Sequence, residues 1–333
     1  MTTREFIQKH KPLKFKFYQN EDDFIVCENP IKFAGRGNFI IAKIKKKNFG
    51  TWDLIDKLSR QLKLYENEIG YAGLKDKNAT TTQYISIPKK YSKELDRFKA
   101  KNIEILDTTL HTSKLNIGDL VSNSFEINLH EVKQEDVGKI EKLLNQIAKI
   151  GMPNYFGFQR FGKDGEENFQ KAKTMIYGDL VVKDKKLAKM LIAQYQSEFF
   201  NSWLAFRVKN SKEEFSLLNG DIFKQYSNEK LFTPKQITQN IQKDFENKKI
   251  VPTGLLPGRK VFRSINEARK IEEKFDDIYI QEKGYRRDAM VYPTNISITY
   301  NKDTQKCNLK FTLPKASYAT VLIENISNIN IKI

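Results

Sequence analysis

The stretch Tyr71-Ala-Gly73-Leu-Lys75-Asp76-Lys77-Asn-Ala79-Thr80-Thr81-Thr82-Gln83 sets a glycine-containing turn and a charged triplet directly before a β-branched run. Gly70 and Gly73 permit a tight turn and close backbone approach. Thr80 to Ile87 reads as a strand, so the triplet lies on the loop that enters it. Asp76 stands between two ammonium groups, Lys75 and Lys77. Nearby cations are expected to hold a carboxylate ionised and to lower its pKa, the state an anionic nucleophile needs at neutral pH. On these residues alone, a charged hairpin turn is the commoner meaning of Lys-Asp-Lys.

Outward from this loop the pattern stays mixed. Asp23 to Glu28 and Asn38 to Ile44 alternate as short strands, with Gly35-Arg36-Gly37 as a turn between them. Thr51 to Leu64 has helical spacing, with Thr51 as its expected N-cap. Asn123 to His130 reads as a strand, and Glu135 to Ile150 as an amphipathic helix. Residues 165–208 read as largely helical, and Leu313 to Ile333 is expected to contain at least one strand. Strands and helices do not alternate regularly, which points to an α+β (mixed α/β) fold rather than a doubly wound one.

The chain has 333 residues and a net charge of +17. Residues 1–153, 154–284 and 285–333 each hold a surplus of cations, so the excess is built into the body and not a detachable tail. That distribution suits a protein gripping an extended polyanion, although the dominance of Lys over Arg is also what genome composition alone produces. Two Cys, Cys27 and Cys307, cannot make a disulfide framework, and three dispersed His give no zinc cluster. No apolar run is long enough for a membrane span, and Met1 to Tyr18 lacks the continuous apolar segment of a signal peptide. A reducing, cytoplasmic setting is expected. No phosphate-cradling Walker loop, dinucleotide fingerprint, nucleophile-elbow serine or His-Glu-x-x-His helix occurs. With so few His, a carboxylate is the expected carrier of any chemistry.

The run Gly73 to Gln83 closely resembles the central motif of the TruD family of tRNA pseudouridine synthases, and four further segments agree in the family's order. Glu21-Asp-Asp23-Phe24-Ile-Val26-Cys-Glu28 resembles its N-terminal Asp-Phe-x-Val-x-Glu strand. Lys114-Leu115 through Asn123-Ser-Phe125 resembles its Asn-x-Phe segment. Pro153-Asn154-Tyr155-Phe156-Gly157-Phe-Gln159-Arg160-Phe161-Gly162 is nearly the whole family signature, and Leu313-Pro314-Lys-Ala-Ser317-Tyr318-Ala319-Thr320 resembles its C-terminal motif. The resemblance runs from about residue 14 to about 326. Departures fall at Asn116, Ser122, Ala316 and Glu324, where the family has Arg, Gly, Gly and part of Leu-Arg-Glu; none touches Asp76.

The resemblance implies a pseudouridine-synthase-like catalytic domain with a mixed, mainly antiparallel sheet, formed by 1–153 and 285–333, and an inserted α/β domain at 154–284. It implies a cofactor-free and metal-free isomerisation of uridine to pseudouridine in tRNA, at uridine 13 of the D arm, with Asp76 as nucleophile and the target base out of its stack. Phe24, Phe125 and Tyr318 would line the base pocket, where an aromatic face gains ~1–3 kcal/mol per base. Asn123 would meet the uracil edge, its amide offering a donor and an acceptor. Gln159 and Arg160 would orient Asp76 or hold phosphate, and Tyr155, Phe156 and Phe161 would pack. Lys75, Lys77, Arg286 and Arg287 would meet the RNA backbone, the guanidiniums bidentately. No membrane and no obligate protein partner are implied. The competing readings are a non-catalytic RNA-binding or RNA-folding protein on the same scaffold, and another RNA-modifying enzyme such as a methyltransferase. The missing cofactor loop speaks against the last.

Overall fold

The structure, a computed structural model, describes residues 1–331. Its strands in chain order are β1 Lys16–Phe17, β2 Phe24–Pro30, β3 Phe39–Lys47, β4 Gly70–Tyr71, β5 Thr80–Pro88, β6 Ile103–His111, β7 Leu120–His130, β8 Met152–Pro153, β9 Ile222–Gln225, β10 Leu231–Phe232, β11 Ile250–Leu256, β12 Tyr285–Asp288, β13 Met290–Val291, β14 Thr294–Asn301 and β15 Lys306–Pro314. The α-helices are α1 Thr51–Leu62, α2 Ser92–Asp96, α3 Gln134–Ile150, α4 Gly165–Ile176, α5 Lys185–Lys209, α6 Gln239–Glu246, α7 Asn266–Glu272 and α8 Ala319–Ser327.

Two compact units emerge. One comprises Lys14–Glu141 and Pro293–Ala316; the other comprises Met1–Leu13, Lys142–Tyr292 and the described residues from Ser317 onward. The packing therefore divides the chain elsewhere than at the expected domain limits of 153/154 and 284/285. Met1–Leu13, Lys142 to Pro153, Tyr285 to Tyr292 and α8 all belong to the more helical unit. Residues 332 and 333 of the expected C-terminal segment lie outside the described residues.

The first unit is built on a nine-stranded sheet of order β14-β15-β7-β2-β5-β3-β6, with β1 on β7 and β4 on β5. Every pairing is antiparallel except β2 with β5. The mixed, mainly antiparallel sheet is therefore as expected. Period-two burial explains why these segments are strands. Phe24, Val26 and Glu28 of β2 face the same way and pair with Ile127, Phe125 and Asn123 of β7, which pair in turn with Leu309, Phe311 and Leu313 of β15. Across β5 and β3 the buried positions are Ile85 and Ile87 opposite Ala42 and Ile40, covered by Leu54, Ile55, Leu58 and Leu62 of α1.

α1 ends where expected within two residues, with Lys63 left-handed at its C-cap. Its start corrects one expectation. Gly50 is the N-cap and Thr51 is already helical, so the Thr51 hydroxyl is free for another partner. Gly70 and Gly73 also separate. A Cβ on Gly70 would lie 2.2 Å from the Ser86 hydroxyl and 2.5 Å from the Leu115 carbonyl oxygen, whereas Gly73 has room for one.

The second unit holds a four-stranded antiparallel sheet, β10-β9-β11-β12, and the two-stranded pair β13-β8. β12 lies beyond the expected insertion yet completes its sheet, with Arg286 opposite Leu255. α5 lays Trp203 against β11 so closely that a Cβ on Gly254 would sit 2.3 Å from the indole. The expected helical stretch resolves into α4 and α5. The C-terminal expectation needs correction. The strand there is β15, ending at Pro314, and Ala319–Ser327 is helical. Every residue of α8 is buried, so packing overrides the strand preference of Val321 and Ile323. No helix among the described residues is long and apolar enough to cross a membrane.

Candidate active site

In the sheet unit, a row of polar side chains interrupts the buried apolar face of the sheet. Gln83 of β5, Glu28 of β2 and Asn123 of β7 are all buried, and Glu28 and Asn123 are direct register partners. Into this row the loop after β4 inserts Lys75. Its side chain is 6% exposed; its ammonium stands 2.9 Å from the Glu28 carboxylate and donates a 2.8 Å hydrogen bond to Asn123 Oδ1. The backbone of the same residue is held too. Lys75 N–H donates to the Thr51 hydroxyl (2.9 Å), which donates to Gln83 Oε1 (3.1 Å). Here the freed hydroxyl at the start of α1 finds its use.

Asp76 follows immediately. Three ammonium groups lie around it, but each is spent elsewhere: Lys75 on Glu28 and Asn123, Lys77 on Asp53 at 3.4 Å, and Lys46 on the Phe49 carbonyl. Among the described residues Asp76 has no ion pair; it accepts one hydrogen bond, 3.2 Å, from the Gln19 amide. Burial pushes its carboxyl above the usual carboxylate value, while a backbone N–H, Lys75, Lys46 and Gln19 pull it back. This corrects the expectation that the flanking lysines would lower it: desolvation outweighs charges already neutralised by other partners. Burial also drives the Lys46 ammonium down to about 8, with Asp76 opposing. Glu28 is pushed up by its own burial, against the pull of Lys75.

Phe24 and Phe125 flank this row. Phe24 is 1% exposed and Phe125 7%, the latter stacked on Phe311 at 5.4 Å and tilted against Phe24 at 6.2 Å. Their faces are largely taken by each other and by the core. Lys77 is exposed. Lys75, expected at the RNA backbone, turns its charge inward.

The other implied residues gather in the helical unit around the segment Asn154 to Arg160. Arg287 is buried; its Nε donates to the Asn154 carbonyl and its Nη2 to Asn154 Oδ1, both 2.9 Å, and its guanidinium lies 3.9 Å from the centre of the Phe156 ring. Burial lowers its pKa to about 10. Phe156 N–H donates to Asn201 Oδ1 of α5, and Asn201 Nδ2 returns a bond to the Phe156 carbonyl. Gly157 lies against Tyr318 and Thr320, where a Cβ would come within 3.0 Å of both. Thr320 donates to Gln159 Oε1 (3.0 Å), and Arg160 Nε donates to Ser197 of α5 (3.0 Å). Tyr318 meets Phe156 edge-on at 6.1 Å. Arg286 turns to the opposite side of β12, onto Glu272 and Thr253. Both adjacent arginines, expected at phosphates, are thus turned inward and partnered.

The departures from the motif have local partners. Asn116 N–H is held by Asp119, the Ser122 hydroxyl accepts from Asn29, and Glu324 pairs with Arg4 in a buried bridge. Ala316 adopts φ 64°, the left-handed region that favours Gly. The sequence reading missed Glu28, Lys46, Gln19 and Thr51 around Asp76, and Ser197 and Asn201 beside the signature. For Glu28 and Lys46 a signal existed, since each is in phase with the buried positions of its strand.

The family model for tRNA pseudouridine synthase D (TruD) matches residues 1–183 and 178–326. A tRNA pseudouridine synthase D of a Nitratiruptor species is 39% identical over 358 aligned positions, covering 99% of each chain. That of Wolinella succinogenes is 37% identical, again over 99% of each. A solved structure from Methanosarcina mazei, described as a tRNA pseudouridine synthase D, superposes with a TM-score of 0.75 at 22% identity, covering 98% of this chain and 96% of that one.

Proposed function

The chain belongs to the tRNA pseudouridine synthase D family, and on that premise we propose that it isomerises uridine to pseudouridine in tRNA, at uridine 13 of the D arm, with Asp76 as the nucleophile. The observation that carries the reading is the state of Asp76: a half-buried carboxylate among three cations, none of which it is ion-paired with. A carboxylate locked in a salt bridge is a poor nucleophile; this one needs only to be ionised and met by substrate.

In the reaction the bond from uracil N1 to ribose C1′ breaks, C1′ rejoins the ring at C5, the C5 hydrogen is released as a proton, and N1 takes up a proton in its place. Asp76 attacks either C1′ or C6. Neither atom is reachable in a stacked helix, so the uridine is flipped out, and holding both fragments in one pocket supplies much of the rate. Asn123 forms the polar side of that pocket, and Phe24 and Phe125, packed against each other and the core, back it from behind instead of stacking on the base. The Lys75 ammonium only donates, so Asn123 Oδ1 must face it and the amide Nδ2 is left for a uracil carbonyl. Lys77 meets phosphate, its surface pairing with Asp53 being weak enough to exchange. Gln159, Arg160 and Tyr318 keep the substrate-binding roles that the family resemblance implies. Arg286 and Arg287 support that unit from within.

The test is tritium release from tRNA labelled at C5 of uridine, without cofactor. Wild type should release label. Asp76→Asn should release none while its tRNA affinity stays within about threefold. Because the folded carboxyl is raised, protonation favours the native state and ionisation opposes it. Stability therefore falls as pH climbs from the ordinary aspartate value, about 3.9, through the folded one. Asp76→Asn removes that loss and should melt slightly higher than wild type at pH 7. Replacing uridine 13 by cytidine should end release. An inert wild type that still binds tRNA tightly would favour the non-catalytic reading.

A further inference from the structure

Glu28 has no place in the chemistry above, yet it is a carboxylate 1% exposed on the apolar face of a sheet. We propose that Glu28 is a positioning residue: through the Lys75 ammonium it fixes both the loop that carries Asp76 and the orientation of the Asn123 amide. The inference rests on Asp76 being the nucleophile.

Three observations carry it. First, Lys75 is pinned at two points, its N–H by Thr51 and its ammonium by Glu28 and Asn123, and the nucleophile is the next residue. Second, the anchor is rigid, because Glu28 and Asn123 are register partners on paired central strands and Thr51 is tied to Gln83 on a third. A side chain held by strands is placed more accurately than one held by a loop. Third, an ammonium as buried as that of Lys75 needs an anion, and Glu28 is its carboxylate partner. Remove that anion and the cation must find water or another partner. Asp76 is the obvious one, and an Asp76 paired with Lys75 loses its freedom to attack.

The charges around Asp76 make the idea testable beyond stability. Lys75 on its own loop and Lys46 on β3 favour its ionised form. Gln19 donates to it from the segment before β2, and Lys77 is turned to Asp53 on α1. Glu28 on β2 is the counter-charge to Lys75. Neutralising Glu28 should therefore make Lys75 act harder on Asp76, and neutralising Lys75 should do the reverse.

The experiment compares Glu28→Gln, Lys75→Met and the double variant in full-length protein. Single-turnover tritium release is read across pH, tRNA affinity by filter binding, and folding by melting. Each single variant should react about a hundredfold more slowly, the usual consequence of an ångström-scale misplacement, with tRNA affinity within about threefold. The acid limb of the rate profile should move to lower pH in Glu28→Gln and to higher pH in Lys75→Met. The double variant, lacking the anchor, should stay as slow as Lys75→Met. Glu28→Asp, which keeps the charge but retracts it, covers the case in which Glu28→Gln fails to fold: it should be slowed about threefold to tenfold with its acid limb unmoved. A wild-type rate in folded Glu28→Gln or Glu28→Asp overturns the inference, as do acid limbs that move the same way in both single variants. A lowered melting point with an unchanged rate does so too, since that is what a purely structural pair would give. Wild type without tritium release overturns the functional reading and this inference together, whereas an active wild type beside a normal Glu28→Gln overturns this inference alone.

Discussion

Each unit buries a cation beside family-motif residues, and the two are neutralised differently. In the sheet unit Lys75 meets a carboxylate, Glu28, at 2.9 Å. In the helical unit Arg287 has no carboxylate partner among the described residues. Its charge rests on two oxygens of Asn154, more distantly on the Tyr155 carbonyl, and on the ring faces of Phe156 and Phe200. The difference follows from the head groups. An ammonium is a compact, strongly hydrated charge that asks for an anion when desolvated. A guanidinium spreads its charge over a plane, offers forked donors to carbonyls and stacks on rings. The sheet presents carboxylates by strand alternation, whereas an irregular segment such as Asn154 to Arg160 presents backbone carbonyls.

The comparison breaks most decisively at Arg287. Arg287→Lys keeps the charge but loses the fork and the stacking, leaving the Asn154 and Tyr155 oxygens partly unmet. Breaking such a buried network should cost about 3–5 kcal/mol. Urea unfolding followed by fluorescence should show the loss as an early transition. A variant as stable as wild type would mean that any buried cation serves there, and the contrast with Lys75 would fall.

Lys46 sharpens the contrast from within the sheet unit. It is an ammonium that is 0% exposed, and its bond to the Phe49 carbonyl is with a neutral group. Burial brings its pKa to about 8 from 10.5, so between those values the unfolded chain binds the extra proton. By linkage, stability should rise as pH is raised through that window. Lys46→Met should abolish the rise and melt higher than wild type at pH 7. Melting curves at pH 7, 8, 9 and 10 would decide it. A wild type whose stability only falls over this range would place Lys46 among the satisfied cations.

These three residues also show what the sequence makes legible and what it hides. The sheet is readable because β2 and most of β7 alternate and β5 is a β-branched run, and the loop carrying Asp76 is readable from its motif. Glu28 and Lys46 fall in phase with the apolar residues of their strands (Phe24 and Val26; Ala42 and Ile44), so a stricter reading of alternation would have called them inward and asked for their partners. Arg286 and Arg287 offered no such handle. As neighbours on a strand they diverge to opposite faces, and each meets residues far away in the chain. Ser197 and Asn201 lie on α5, which is buried nearly all round its second half, so its polar residues carry no amphipathic signature. α8 escapes a sequence-based assignment for the same reason, since complete burial erases the period that separates helix from strand.

The smallest expected effect tests whether the unfavourable terms here lie in buried charge rather than in backbone strain. Ala316, exposed just after β15, holds φ 64°. A left-handed conformation costs a residue with a Cβ roughly 1–2 kcal/mol, while glycine's extra freedom in the unfolded chain returns about 0.5–1 kcal/mol of that. Ala316→Gly should therefore stabilise the protein by only about 0.5–1 kcal/mol, seen as a small upward shift of the urea midpoint with the slope unchanged. Tritium release should be unaltered, because the hydrogen-bonded partners of Asp76 and Lys75 lie on other segments. If instead Ala316→Gly gained as much as Arg287→Lys is expected to lose, backbone strain would rank with buried charge in this fold. The contrast between the two cations would then describe only part of what limits its stability.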